Sequence, residues 1–149
     1  MIKYYCNFLN EDECQYFIEL FNNNDVKYHT DMVYKFYYID LISLKLKTNK
    51  FNKYHFSKFR VQMVNESINQ IQESHLHHNT WSFIVFLNEN FIGGEIIFGN
   101  QEYKPKIGDM IYFTGDEFHR VNNCIGDRYT LIGFMLNNPL DVKVIKNIL

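Results

Sequence analysis

The sequence predicts a mainly β domain with one supporting helix, and three observations carry that prediction. From Ile68 onward, short apolar runs alternate with Gly99-Asn100, Gly108-Asp109, Gly115-Asp116 and Gly126-Asp127, pairs of residue types that favour turns. Near the start, Cys14, Phe17, Ile18 and Phe21 recur at helical spacing. The 149 residues show no repeat, linker or composition shift, a length that suits one core. Short strands at this spacing behind a single helix form a sandwich or a barrel.

The elements follow in order. Tyr4 to Leu9 is a short apolar run and reads as a strand. Asn10 then resembles an N-cap, with Glu13 three residues on as in a capping box. The helix runs from about Glu11 to Phe21 and stops at Asn22-Asn23-Asn24-Asp25. Its single apolar stripe suits a helix lying on a sheet. Val26 to Lys47, rich in Tyr, Val, Ile and Leu, reads as two strands. Thr48 to Ser57 is a loop or a short helix. Phe59, Val61 and Met63 alternate with Arg60, Gln62 and Val64 as in a strand, and Asn65-Glu66-Ser67 turns it. Trp81 to Leu87 has bulky residues on both faces and so reads as a central strand. Short strands follow at Glu95 to Phe98, Glu102 to Lys104, Met110 to Phe113, Arg120 to Asn122 and Tyr129 to Met135.

Composition narrows the function classes. The net charge is −2 with no long basic run, which gives no argument for nucleic acid or an anionic membrane surface. Cys6, Cys14 and Cys124 are scattered and odd in number, which favours reduced thiols in a cytosol-like compartment. Acidic residues stand where a signal peptide would keep its apolar run, and no stretch is long enough to span a bilayer. The expectation is a soluble, cytoplasmic protein, in a host cytoplasm if the source is viral. The chain has no alanine and is crowded with Asn, Lys, Ile, Tyr and Phe, which reads as the codon bias of an AT-rich genome, a protist's or a large virus's.

Chemistry concentrates between residues 75 and 130. In His75-Leu76-His77-His78, His75 and His77 share a face if the segment is extended. Paired neutral imidazoles are a ready metal edge, and His119 from a later strand would close a facial set with open positions opposite. Each histidine alone reads as a surface or loop residue; the ordered set is less easily dismissed. Arg128 opens an apolar strand, where a guanidinium wants a carboxylate, either a ligand's or a structural partner's. Thr130 shares its face and could add a hydroxyl, or could be an ordinary strand residue. Glu95, Trp81, Phe83, Phe86 and Cys124 read as structural, and His29 and His55 have no partner at useful spacing.

The order His75-x-His77, Leu87-Asn88, Gly93-Gly94-Glu95, Lys106-x-Gly108-Asp109, His119 and Arg128 resembles the Fe(II)/2-oxoglutarate-dependent dioxygenases, within them the prolyl 4-hydroxylase-like group. The segment Asn7-Phe-Leu-Asn-Glu-Asp-Glu-Cys14 is similar to the opening of such domains. The resemblance implies a double-stranded β-helix, a jelly-roll or cupin-like barrel, with N-terminal helical support, filling 1–149 as one dioxygenase-like domain. It implies Fe(II) and 2-oxoglutarate as cofactors, with ascorbate as reductant, and a substrate that is a peptidyl residue such as proline. It implies His75 and His119 as metal ligands and Arg128, with Thr130 beside it, as the anchor of the 2-oxoglutarate carboxylate. The family's Asp ligand falls on His77. Either His77 ligates and the site has three histidines, or two protein ligands remain; a register pairing His77 with Asn79 shortens the link to Leu87-Asn88. A neutral imidazole in place of carboxylate raises the charge at the metal by one unit.

Two other readings share the architecture. A cupin-like three-histidine metal dioxygenase needs no 2-oxoglutarate, and Gly108, His119 and Asn123 partly fit its second motif. A non-catalytic relative would bind a peptide or sugar in the barrel mouth. Arg128 discriminates, because only the 2-oxoglutarate reading needs it to face the metal cavity.

Overall fold

The computed structural model describes residues 1–29, 34–52, 56–66, 70–72, 80–114, 117 and 119–136. Among them the chain runs β1 (Ile2–Tyr5), α1 (Glu11–Asn22), β2 (Lys27–His29), β3 (Tyr34–Tyr38), α2 (Leu41–Lys47), β4 (Phe56–Glu66) and β5 (Gln70–Gln72). It continues β6 (Thr80–Phe86), β7 (Ile92–Gly93), β8 (Ile96–Phe98), β9 (Gln101–Tyr103), β10 (Met110–Thr114), β11 (His119–Val121) and β12 (Cys124–Leu136). His75, His77, His78, Ser67 and the Gly115-Asp116 pair lie outside the described residues.

The strands form two sheets. The larger has the order β1-β10-β6-β12-β4-β3-β2, with β7 paired to β12; the smaller has the order β5-β11-β8-β9. Neighbours in these orders pair antiparallel. Together they make the double-stranded β-helix barrel. β6 is flanked on both sides, which explains its bulky residues on both faces.

The faces of the larger sheet separate by strand parity. Phe59, Val61, Phe83, Val85, Met110 and Leu131 pack outward with Cys14, Phe17 and Phe21 of α1. Ile84, Phe86, Ile111, Phe113 and Ile132 pack inward with Ile96 and Phe98 of the smaller sheet. Helix α1 is closed by the capping box, with Glu13 N–H donating to the Asn10 side chain and Asn10 N–H to the Glu13 carboxylate.

Four expectations need correction. The first strand is Ile2–Tyr5, and Leu9 lies beyond it in the core. Val26 to Lys47 holds two strands but ends in helix α2, whose N-cap Asp40 accepts from the Ser43 backbone. β4 begins at Phe56 and holds Asn65 and Glu66, so neither the loop before it nor the turn after it falls where the sequence suggests. Gly126-Asp127 is no turn. β12 runs straight through it from Cys124, with a bulge that shifts the register on β4 between Ile125 and Arg128.

Candidate functional site

The register of the larger sheet orders its inward side chains into rows across the barrel. One row is Phe113, Ser82, Phe134 and Lys58. The next is Ile111, Ile84, Ile132, Arg60 and Tyr38, and a third is Phe86, Thr130, Gln62 and Phe36. Arg128 opposite Val64 opens the fourth. His119, from the smaller sheet, reaches the first row: its ring centroid lies 5.0 Å from that of Phe113 and 5.4 Å from that of Phe98.

Arg128 is 3% exposed and Thr130 0%. Arg128 Nε donates to the Gly94 carbonyl at 3.0 Å, and the guanidinium lies 5.6 Å from the Phe86 ring centroid. Its Nη2 has no hydrogen-bond partner, nor do Thr130 Oγ1 and Gln62 Oε1 on the adjoining row. Burial pulls the Arg128 pKa down to about 10, with Cys124 and Glu95 nearby opposing it. A buried polar group left unpaired costs about 1–3 kcal/mol, and more when charged. Of these, Arg128 Nη2 and Thr130 Oγ1 can donate, as the carboxylate of a bound anion requires, whereas Gln62 Oε1 only accepts. Gly94 adopts φ +73°, and a Cβ there would come within 2.9 Å of Arg128 Cδ, so the glycine allows the backbone to approach the guanidinium.

His119 is partly buried, and its Nδ1 lies 3.2 Å from the Glu117 carbonyl oxygen. A carbonyl only accepts, so in this contact Nδ1 is the donor. Metal-ligating histidines are oriented by the same kind of second hydrogen bond. Gln72 is the cross-strand partner of His119, and His75 follows three residues later in the chain. Among the described residues no three His, Cys, Asp or Glu side chains gather as a metal set.

The structure thus brings Arg128 and Thr130 together on the inward face of β12, with His119 further along the barrel. Glu95 accepts from Asn122 Nδ2 at 3.3 Å, Trp81 stacks on Tyr112, and Cys124 is a buried strand residue rather than a loop thiol. Sequence reading assigned no role to Arg60 or Gln62. Their alternation with Phe59, Val61 and Met63 marks two faces without saying that the polar one points inward.

Two antiparallel sheets thus enclose a buried arginine whose Nη2 has no hydrogen-bond partner, an arrangement that suits a protein binding an anion inside its barrel. The model of the 2OG-Fe(II) oxygenase superfamily matches residues 41–136, well over half of the chain, and the protein belongs to that family. It is a 2-oxoglutarate-dependent dioxygenase and takes Fe(II) and 2-oxoglutarate as cofactors. Solved structures of the same fold include a Pseudomonas putida prolyl-4-hydroxylase, 14% identical, covering 92% of each chain with a TM-score of 0.65. HygX of Streptomyces hygroscopicus, with nickel and 2-oxoglutarate bound, is 9% identical and covers 93% of this chain and 83% of its own, at a TM-score of 0.72. A Trichoplax adhaerens prolyl hydroxylase in complex with a hypoxia inducible factor peptide fragment is 14% identical and covers 97% and 86%, at 0.66. No curated protein matches by sequence. No described helix is long and apolar enough to cross a membrane.

Proposed function

We propose that the chain is one domain over residues 1–149 that hydroxylates a peptidyl residue, with Fe(II) held by His75, His77 and His119 and 2-oxoglutarate anchored by Arg128 and Thr130. The observation that carries this is the pair of buried, unpartnered polar atoms, Arg128 Nη2 and Thr130 Oγ1, on successive inward positions of β12. An inward Arg128 without a carboxylate partner favours the 2-oxoglutarate reading over the cupin-like one. Supporting a single domain, β1 from the start of the chain and β12 from its far end belong to one sheet.

When bound, Fe(II) and 2-oxoglutarate would supply, with O2 as oxidant, decarboxylation to succinate and CO2 coupled to hydroxylation of a C–H bond. The chain's own residues would position that chemistry. The guanidinium and the Thr130 hydroxyl, both buried, would bind the distal carboxylate through charge-assisted hydrogen bonds. The Glu117 carbonyl, accepting from Nδ1, would orient the His119 ring. The peptide-bound Trichoplax structure shares this fold and supports a peptide substrate. The scattered, odd-numbered Cys6, Cys14 and Cys124 support a reducing compartment, the cytoplasm.

Calorimetry of 2-oxoglutarate binding to the Ni(II)-loaded protein tests the anchor, and succinate release under Fe(II) and ascorbate tests turnover. Saturable binding that Arg128→Gln removes is expected; binding unaffected by that change would refute the assignment. For the metal set, His77→Ala is expected to weaken Ni(II) binding as His75→Ala and His119→Ala do. An unchanged affinity in His77→Ala would leave two histidine ligands.

A further inference from the structure

The inward face carries two more cations that anchoring of the co-substrate does not use. Lys58 lies in the row that His119 reaches, and Arg60 in the next. The Arg60 guanidinium carbon sits 5.0 Å from the Tyr34 ring centroid and 5.4 Å from that of Phe36, and its buried Nε has no hydrogen-bond partner. Lys58 Nζ lies 4.2 Å from the Tyr38 ring centroid. Neither cation meets a carboxylate among the described residues, where the ion pairs are Met1–Glu117 and Lys50–Glu13. Burial alone would raise the Tyr38 pKa; Lys58 and Arg60 beside the hydroxyl outweigh it, and the phenol ionises more readily than an ordinary one.

The rows say where such a cluster works. Arg128 and Thr130 lie at the far rows and His119 at the first, so Lys58 and Arg60 stand level with the metal end of the barrel, not with the carboxylate anchor. β10, β6, β12 and β4 are successive neighbours, so three strand spacings, roughly 14 Å, separate Phe113 from Lys58. That is about four residues of extended peptide. The distance suits a recognition point displaced from the reacting carbon.

Resting on the hydroxylase reading above, we propose that Arg60, Lys58 and Tyr38 hold an anionic side chain of the substrate peptide, a carboxylate or a phosphate, a few residues from the hydroxylated position. Arg60 stacked on two aromatic rings is pre-oriented, with little rotamer freedom left to lose when the anion arrives.

The test uses the Ni(II)- and 2-oxoglutarate-loaded protein and three peptides of one length, differing at one position as Asp, phosphoserine or Lys. Either anionic peptide is expected to bind about tenfold tighter than the Lys peptide, the effect of one semi-exposed charge contact. Asp against phosphoserine then separates carboxylate from phosphate. The preference is expected to vanish in Arg60→Gln with Lys58→Met and to survive in part in Arg60→Lys. Binding of 2-oxoglutarate should stay within about twofold, because these side chains lie off the anchor. Carbon-13 tyrosine NMR gives a readout that a packing role would not move, a shift of the Tyr38 titration when the anionic peptide binds. Absent or charge-blind peptide binding, or a preference surviving the double substitution, overturns the proposal. Failure of 2-oxoglutarate to bind, seen before any peptide is added, would instead remove the hydroxylase reading itself.

Discussion

Arg128 is a residue whose ligand-free state is costly. Its pKa is pulled from 12.5 to about 10 by burial, so the fold disfavours the charged form. The sign follows: below about pH 10 folded and unfolded chains both carry the proton, and the destabilisation is fully present; it is relieved only as pH rises toward 12.5. Arg128→Met is therefore expected to leave the ligand-free protein as stable as wild type or more so, while weakening 2-oxoglutarate binding about 100-fold or more. Thr130→Val, nearly isosteric, is expected to weaken binding roughly tenfold to a hundredfold, the worth of one hydrogen bond to a charged group. Thermal melts and calorimetry on the same variants check both statements. The shared face of Arg128 and Thr130 was legible in the sequence from their two-residue spacing on an apolar strand, whereas what that face binds was left open. Arg60 and Gln62 were not, because alternation on β4 looks the same whether the polar face meets water or the inside of a barrel.

At the scale of elements, α1 and α2 were unequally legible. Asn10 and Glu13 announce α1, and both reciprocal bonds form. Burial would raise the Glu13 pKa, but the Asn10 N–H and Lys50 lower it overall from 4.5. The resulting stabilisation is present above the unfolded value and lost as pH falls through the lower folded value. In urea melts Glu13→Gln is expected to lose less stability than wild type as pH falls below 4.5. Asn10→Ala should cost about 1 kcal/mol at neutral pH. Helix α2 was misread because Ile42, Leu44 and Leu46 alternate with Ser43, Lys45 and Lys47 in a strand's period. Only Leu44 turns into the core, and Ile42 and Leu46 are 73% and 83% exposed. The Asp40 cap decides for helix where the side-chain pattern does not.

For the whole molecule, turn residues and short apolar runs told of a sandwich or a barrel, while strand order stayed hidden because pairing joins distant segments. β12 lies between β4 and β6, more than forty residues earlier in the chain. Such closure ties stability to occupancy of the interior. Ligand at one hundred times its Kd adds about 2.7 kcal/mol to a protein that binds it only when folded. For this chain length that is a rise in Tm of roughly 5–10 °C. Metal with 2-oxoglutarate is expected to give that rise in differential scanning calorimetry, and Arg128→Met to abolish the part due to 2-oxoglutarate.

The bulge in β12 governs which changes of chain length the protein can survive. Ile125 pairs with Glu66 and Arg128 with Val64, so β12 spends two residues where β4 spends one. Deleting either Gly126 or Asp127 would give a regular ladder with both flanking pairs in place. A deletion between Arg128 and Phe134 would exchange inward for outward side chains on one side of the cut. Natural or laboratory variants shortened by one residue in this strand should therefore be recovered at the bulge and not in the six positions beyond Arg128.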